Sequence, residues 1–355
     1  MKRKLLYFGV FIIIGVILFR SESVIRFSKD AMDMCYEIII PSLFPFFVCS
    51  GLLIYSGFGS IIANLAQGIM RPIFNVAPAG AAAFVMGILS GFPSGAICTA
   101  DLYRCGNLSK SEAERLLAFC NNSGPLFIIG AIGTALYHKP QYGVMLYVIH
   151  IISSIIVGII FRNYKKEAHN SPPTYVNTKE LSASTAFATS LNTAAKNMIT
   201  VCFSIIFFSA ISRAVLEMIP SPPALDSVIS GICEFSTGVI KIYGLDYNTA
   251  QKLILTSLIV GFSGISVHIQ VAAVTAEAEL SLKPYIIGKC LHSITAAVLT
   301  AAVLFIIPPQ SVFISDIKAK LSASFAVSAI LLATAIVFVI VFAFIVPFSN
   351  KKKSL

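Results

Sequence analysis

Long apolar segments alternate with short polar ones along most of this chain of 355 residues. Several segments approach the roughly 20 apolar residues that an α-helix needs to cross about 30 Å of hydrocarbon. The pattern therefore predicts an all-α polytopic membrane protein. The apolar segments run near residues 5–19, 36–57, 79–103, 116–137, 142–161, 198–219, 225–244, 253–275, 285–307 and 324–347.

Glycine and small polar residues interrupt these segments in two corresponding places. The first half carries Gly91–Gly95 (GFPSG) and then Asn121–Pro125 (NNSGP). The second half carries Phe235–Gly238 (FSTG) and then Gly261–Gly264 (GFSG). A helix broken at bilayer depth leaves backbone groups that hydrocarbon cannot satisfy, so the break must be buried in protein or line a wet cavity. Paired breaks in two halves of a chain indicate the substrate site of a transporter.

The two halves resemble each other around these breaks. Residues 108–124 (LSKSEAERLLAFCNNSG) align at a fixed offset with 245–261 (LDYNTAQKLILTSLIVG). Residues 87–95 (GILSGFPSG) resemble 231–238 (GICEFSTG), and a histidine follows later in each half inside an apolar segment. Chance similarity between apolar sequences is the alternative. Three landmarks in the same order argue instead for an internal duplication.

The duplication divides the chain into five parts. A basic N-terminal stretch precedes residues 5–19 as in a signal peptide, but no small-x-small cleavage site follows, so we expect an uncleaved anchor helix. Within residues 31–40, Asp33 and Glu37 lie four apart, which is typical of an interfacial amphipathic helix. The expected parts are an N-terminal anchor helix and loop (1–30), a first repeat (31–162), a polar linker (163–189), a second repeat (190–307), and a C-terminal transmembrane helix with a basic tail (308–355).

The distribution of charge sets the expected topology. If 79–103 and 225–244 are re-entrant helical hairpins, each repeat has three true crossings and the second repeat is inverted relative to the first. The chain then has about seven full transmembrane helices. With both termini in the cytoplasm, most Lys and Arg residues fall on the cytoplasmic side, Lys289 among them, as the positive-inside rule requires. Arg104 and Lys241, which follow the two hairpin tips, fall on opposite sides.

Composition excludes most other classes of protein. The chain is 57% hydrophobic and only 12% charged. Its net charge of +10 lies mainly in short loops and tails, so we expect no nucleic-acid partner. The eight cysteines form no CxxC pair and lie mostly in apolar stretches, as small buried hydrophobes do. No Walker A loop, GxSxG elbow, HExxH or paired Cys/His spacing occurs, so we expect no enzyme activity, no catalytic residues, no cofactor and no metal.

The breaks supply the candidate chemistry. Glycine and proline at the first hairpin tip allow the backbone to present N–H groups, and half-helix N-termini favour an anionic ligand. A packing kink without a ligand is the alternative. The amides and hydroxyl within Asn121–Pro125 lie inside an apolar helix, where polar side chains act as ligand contacts or as helix glue. The candidate substrate-binding residues are Gly91, Pro93, Ser94, Gly95, Asn121, Asn122, Ser123, Ser236, Thr237, Ser263, Gly264, Ser266, His268 and Gln270.

Three further ionisable residues lie in apolar segments. Glu234, beside the second tip, is the candidate for coupling transport to a cation or proton. Burying a carboxylate in a membrane costs free energy, so its presence there indicates a function. The alternative is a shallow hairpin with a solvated carboxylate. His150 and His292 lie in segments without a break, and we interpret them as structural.

Three motifs resemble one known family. GFPSGA at 91–96, FCNNSGP at 119–125 and GISVHIQ at 264–270 are similar to the YlbJ (SpoVV) family of sporulation integral membrane proteins. That family contains Gate domains, which resemble the core of concentrative nucleoside transporters and the membrane part of FeoB ferrous-iron transporters. The resemblance covers residues 31–305 and implies two Gate-like repeats with a central site.

The resemblance also implies an endospore-forming source and a role in spore maturation. The implied substrate is dipicolinate, a small planar dianion, moved from the mother cell across the outer forespore membrane. Glu234 would repel this dianion unless it is protonated or paired with a cation. Two alternatives stay open: a transporter of nucleosides or other small metabolites on the same fold, and a non-transporting membrane scaffold for spore assembly. The residues leave open the substrate, the coupling ion, the direction of transport and a homo-oligomeric state.

Overall fold

Helices account for the regular structure of the chain. The structure is a computed structural model that describes residues 2–57, 67–165, 182–219 and 221–307, together with 61, 64, 65 and 309. The C-terminal transmembrane helix and basic tail, and most of the polar linker, lie outside the described residues. The helices belong to one compact unit, Met1–Ile306.

The described residues contain fourteen α-helices and no strand, which confirms the predicted all-α class. Four described helical segments are long and apolar enough to cross a membrane, and a fifth is present if a bent pair at the N-terminus is one span. The total of about seven stays a prediction. The helices are α1 (Lys2–Phe19), α2 (Ser21–Met34), α3 (Ile40–Tyr55), α4 (Gln67–Phe74), α5 (Gly80–Ser90), α6 (Ser94–Arg104), α7 (Lys110–Cys120), α8 (Pro140–Phe161), α9 (Ala183–Leu216), α10 (Pro223–Cys233), α11 (Phe235–Tyr243), α12 (Thr249–Phe262), α13 (Gly264–Glu277) and α14 (Lys283–Ile306), with π-helices at Cys35–Ile39 and Leu126–Leu136.

The N-terminal region is helical where the sequence predicted a loop. The chain bends by 95° between Tyr7–Phe19 and Ser21–Ile39. Helix α2 then continues through the first π-helix into α3, burying Ala31 and Cys35 against α9. Asp33 and Glu37 face outward from this same helix, so its amphipathic pattern is confirmed, although it is not a separate element. Helix α9 likewise begins within the predicted linker.

Charged groups tie α2 to the end of α9. The Glu217 carboxylate accepts hydrogen bonds from the guanidinium groups of Arg20, at 2.7 Å, and Arg26. It also accepts one from the Ser23 hydroxyl, at 2.6 Å. The bonds from Ser23 and Arg20 lower the pKa of Glu217. The structure thus brings both arginines to one carboxylate.

Two helical hairpins form where the sequence predicted them. Helices α5 and α6 form the first, α10 and α11 the second. A Cβ at Gly95 would lie 3.1 Å from the Cα of Gly87, and one at Gly238 would lie 2.2 Å from the Cα of Gly231. One glycine pair therefore lets the arms of each hairpin touch. These four positions are the first and last glycines of the aligned segments 87–95 and 231–238.

Each hairpin packs against a broken helix. The first broken helix comprises α7 and the second π-helix, and the other comprises α12 and α13. Both begin with a capping box. The side chain of the residue before the helix accepts a hydrogen bond from the backbone N–H of the third helical residue, whose side chain accepts one from the backbone N–H of that preceding residue. The boxes are Ser109 with Glu112 and Asn248 with Gln251. This shared start supports the duplication.

The fixed offset of the sequence alignment is nevertheless wrong, by two residues at the capping boxes and by three at the break. Helix α12 has 14 residues and α7 has 11. Gly261, which the sequence aligned with Gly124, lies inside α12 and packs on the backbone of Ser293. The counterpart of Gly124 in the structure is Gly264, because each lies at its break and packs against the tip of its own hairpin.

The hairpins open toward opposite ends of the bundle. Arg104 ends α6, and α7 begins at Lys110, so the first broken helix starts beside the open end of the first hairpin. That broken helix leads to Tyr137, whose ring packs on Tyr243 at the open end of the second hairpin, 5.1 Å between centroids. The prediction that the two hairpins open toward opposite ends is therefore confirmed by contacts within the protein. Which end faces the cytoplasm stays a prediction.

Candidate functional site

The two hairpin tips meet near the middle of the bundle. Phe92 lies in the turn of the first hairpin, and Phe235 is the first residue of α11 in the second. Their rings pack edge to face, 5.7 Å between centroids. Phe127, just after the break of the first broken helix, packs on Phe235 at 4.9 Å. Three phenylalanine rings therefore join both hairpins and one break.

A cavity of about 40 Å³ lies beside these rings. A cavity of this size holds a few water molecules. Apolar side chains from α3, α9 and the first π-helix form one wall. The polar lining comes from both hairpins and both broken helices: Ser90, Ser123, Glu234, Ser236, Ser266 and Gln270.

Part of the predicted site lines the cavity. Of the candidate substrate-binding residues, Ser123, Ser236, Ser266 and Gln270 line it, as does Glu234. The others have different surroundings. Those absent from the lining are Gly91, Pro93, Ser94, Gly95, Asn121, Asn122, Thr237, Ser263, Gly264 and His268.

The glycines of the first tip serve packing. Gly91 has a φ of +78°, and a Cβ there would lie 2.9 Å from the backbone nitrogen of Gly124. A Cβ at Gly95 would lie 2.2 Å from the carbonyl oxygen of Cys120. The first hairpin is therefore pressed directly onto the backbone of the broken helix, so these glycines place the tip without facing the cavity.

A histidine stabilises the break of the first broken helix. The backbone N–H of Ser123 has lost its helical partner and donates to Nε2 of His150 at 3.1 Å. The His150 ring packs against His292 of α14, 4.2 Å between centroids, with the ring planes tilted by 39°. The Asn122 amide donates to the carbonyl of Phe119 at 2.9 Å. These contacts agree with the structural interpretation of His150, which satisfies a backbone group that the bilayer cannot.

Glu234 caps the second hairpin's inner helix. Its side chain is fully buried, so the expected alternative of a solvated carboxylate is wrong. It accepts hydrogen bonds from the N–H groups of Ser236, at 3.2 Å, and Thr237, at 2.8 Å, and from the Ser236 hydroxyl at 2.6 Å. The carboxylate therefore occupies the positive end of α11, where the sequence had expected an anionic ligand.

The second broken helix is held by its own backbone. Ser263 has a φ of +77°, and its hydroxyl donates to the Val260 carbonyl at 3.4 Å. Nδ1 of His268 lies 2.7 Å from the Gly264 carbonyl oxygen, and Nε2 of the same ring has no partner among the described residues. Only Ser266 and Gln270 of this segment's predicted site residues reach the cavity.

Sequence reasoning missed a buried lysine. Lys289, which charge counting had assigned to the cytoplasmic side, is 1% exposed in the middle of the bundle, so that assignment is wrong. Its ammonium lies 5.1 Å from the centre of the Phe92 ring and makes no hydrogen bond among the described residues. Tyr285 and His292 lie on the same buried face of α14. Their spacing of four and three residues around Lys289 was the available signal.

The described residues contain no cluster of three or more His, Cys, Asp or Glu side chains able to hold a metal ion. The polar groups at the centre are hydroxyls, amides, imidazoles, the carboxylate of Glu234 and the amine of Lys289. Their chemistry is that of recognition through hydrogen bonds and charge.

Comparison with known proteins gives the family. Sporulation integral membrane protein YlbJ of Bacillus subtilis (strain 168) is 32% identical to this chain over 306 residues, covering 76% of this chain and 75% of the relative. The chain belongs to the YlbJ family. No protein-family model matches it. The chain is also similar to a solved structure of CNTnw in an inward-facing, substrate-bound state, at 14% identity, with a TM-score of 0.47, covering 84% of this chain and 86% of that one.

Proposed function

We propose that this YlbJ family member is a secondary transporter of a small anionic metabolite, and that it moves dipicolinate across the outer forespore membrane during sporulation. The observation that carries the proposal is the meeting of both hairpin tips and both helix breaks at one cavity with polar lining. Burying polar groups inside a membrane protein is costly, and they mark substrate or ion pathways. A membrane scaffold has no need for them.

The family supports the cellular setting. The relative in Bacillus subtilis is a sporulation membrane protein. The resemblance of the hairpin and break motifs to this family implies dipicolinate as the substrate. Phenylalanine rings around the cavity suit a planar aromatic molecule, since aromatic pairs gain from edge and face contacts.

Transport in this proposal requires the tips to separate. A cavity of about 40 Å³ holds water and not a metabolite. The contact between Phe92 and Phe235 closes the space between the hairpins. We infer that substrate enters when one hairpin moves away from the other, and that the opposed openings give access from the two sides in turn.

Glu234 is the proposed coupling residue. Glu234 lines the cavity and its side chain is buried, so an anion bound there would meet a negative charge at short range. A proton or a cation that neutralises Glu234 would remove that repulsion. Because the same carboxylate caps α11, a change in its charge would also alter the position of the second tip.

The proposal is tested in the spore-forming host. We expect deletion of the gene to leave spores depleted of dipicolinate while the mother cell still synthesises it and accumulates it. Complementation with the intact chain should restore spore dipicolinate. Normal spore dipicolinate in the deletion strain, in the absence of a second family member, would refute the proposed substrate. Failure of synthesis itself would point to a scaffold or regulatory role.

A further inference from the structure

The amine of Lys289 is buried without a counter-ion among the described residues. Its side chain is 1% exposed, and its ammonium has no hydrogen-bond partner among the described residues. No carboxylate of the described residues forms an ion pair with it, and the ring of Phe92 lies beside it. An intramembrane lysine in such surroundings is costly to the folded protein, so it indicates a function.

Unpartnered polar atoms surround the same place. The hydroxyl of Tyr285, one helical turn before Lys289, lies beside the side-chain amide of Asn121, but no described residue pairs with it in a well-formed hydrogen bond. Among the described residues, neither polar atom of the Asn121 amide makes a well-formed hydrogen bond, and neither ring nitrogen of His292 does, although His292 lies beside the backbone of His150. Each side chain is fully buried. Buried polar groups are nearly always paired in native proteins, so such a concentration of orphans indicates a ligand.

Tight packing holds these groups in place. Helix α14 lies against α7 so closely that a Cβ at Gly288 would be 2.2 Å from the Ala118 carbonyl oxygen. This contact fixes Lys289 and Tyr285 beside the end of α7, where Asn121 begins the break. A rigid helix pair is a better platform for recognition than a loop.

The donors at this place define the class of ligand. The Lys289 ammonium has three donors, and the Tyr285 hydroxyl and the Asn121 amide supply more, with no acidic side chain to accept them. A carboxylate has two oxygens and about four acceptor sites, and its charge complements the ammonium. Phe92 contacts Lys289 on one side and lines the cavity on the other. A ligand whose ring lies among the phenylalanines would point its carboxylate past Phe92 toward Lys289.

We propose that Lys289, Tyr285 and Asn121 form the carboxylate-binding end of the transport site, and that the ligand is a planar aromatic carboxylate. The proposal rests on the proposed function for the location of the site. It adds the residues that bind the carboxylate, of which Lys289 alone can carry a compensating charge, and they include none of the predicted hairpin-tip groups. Displacement of the Phe92 ring opens the path between the cavity and the ammonium.

Direct binding to the purified full-length protein tests this proposal. The variant Lys289→Met removes the charge at nearly constant volume, and Lys283→Met, at an exposed position on the same helix, is the matched control. The probe is pyridine-2,6-dicarboxylate, measured by calorimetry, with the neutral pyridine-2,6-dicarboxamide, benzoate and inorganic phosphate as comparison ligands. Loss of a charged hydrogen bond should weaken dicarboxylate binding about tenfold or more in Lys289→Met. The Lys283→Met control should bind as the wild type does.

A second variant guards against misfolding. Tyr285→Phe deletes a hydroxyl that makes no well-formed hydrogen bond among the described residues, so it should weaken dicarboxylate binding severalfold while changing unfolding little. Wild-type affinity in both site variants would overturn the proposal, as would a wild-type protein that binds none of the carboxylates. Equal, Lys289-dependent binding of phosphate would overturn the carboxylate class. Lys289-dependent binding without flux in vesicles would refute transport and leave the site standing.

Discussion

Replacing Glu234 with Gln tests the two roles of the buried carboxylate at the second hairpin tip. In the structure, one carboxylate oxygen accepts bonds from the Ser236 hydroxyl and the Thr237 N–H, and the other accepts the Ser236 N–H. The Gln oxygen can keep the first two bonds. The NH₂ group of Gln then faces the Ser236 N–H. Both groups are donors, so no hydrogen bond forms between them.

The expected loss of stability follows from these contacts. One hydrogen bond to a charged acceptor is worth about 1.5–3 kcal/mol. Relief of the buried negative charge offsets part of that loss. The net cost should therefore be about 1–2 kcal/mol, in the range of a lost helix N-cap. Chemical unfolding of the purified variant measures it, and Glu279→Gln, at an exposed position, serves as the control.

Transport assays address the second role. Because Gln cannot release a proton or hold a cation as a carboxylate does, Glu234→Gln should bind and exchange substrate but fail to accumulate it against a gradient. Unfolding identical to that of the wild type would refute the capping account. Uphill transport at the wild-type rate and pH dependence would refute the coupling account and leave Glu234 as a structural cap.

Three further predictions address the architecture and the cavity. Gly95→Ala should destabilise the protein by about 1–3 kcal/mol, because its Cβ meets the backbone of the broken helix. Gly130→Ala, whose Cβ meets open space, is the control, and chemical unfolding of both variants measures the difference. Cysteines at Arg104 and Lys241 should react with a membrane-impermeant reagent from opposite sides, and labelling of both from one side would contradict the inverted arrangement. Ser123→Ala keeps the backbone bond at the break but removes a cavity hydroxyl, so it should slow dicarboxylate uptake severalfold without loss of membrane-inserted protein.

The hairpins and breaks were predictable because glycine, proline and small polar residues stand out in apolar segments. Gly87 and Gly231 were aligned from the sequence, and in the structure each forms the contact between the two arms of its hairpin. The alignment failed at Gly261 because its fixed offset was already two residues out at the capping boxes, where Ser109 corresponds to Asn248. One further residue is added between that start and the break.

The site was harder to predict than the fold. Charge counting assigned Lys289 to a membrane surface because it treats each lysine as solvated, and only tertiary packing shows that this one is enclosed. Glu234 was recognised as an intramembrane carboxylate, but its capping bonds depend on where α11 begins. Asn121 and Asn122 were expected at the cavity, yet the backbone at the break directs them away from it. The direction of the backbone in an irregular segment cannot be predicted from residue types alone.

Flux of radiolabelled pyridine-2,6-dicarboxylate into proteoliposomes tests the central claim most directly. The account predicts saturable uptake by vesicles that contain the wild-type chain, competition by unlabelled dicarboxylate, and little effect of the neutral dicarboxamide. Uptake no faster than in protein-free vesicles, across proton and cation gradients of both signs and with folded protein verified in the same vesicles, would contradict the assignment of this YlbJ family member as a transporter of that anion.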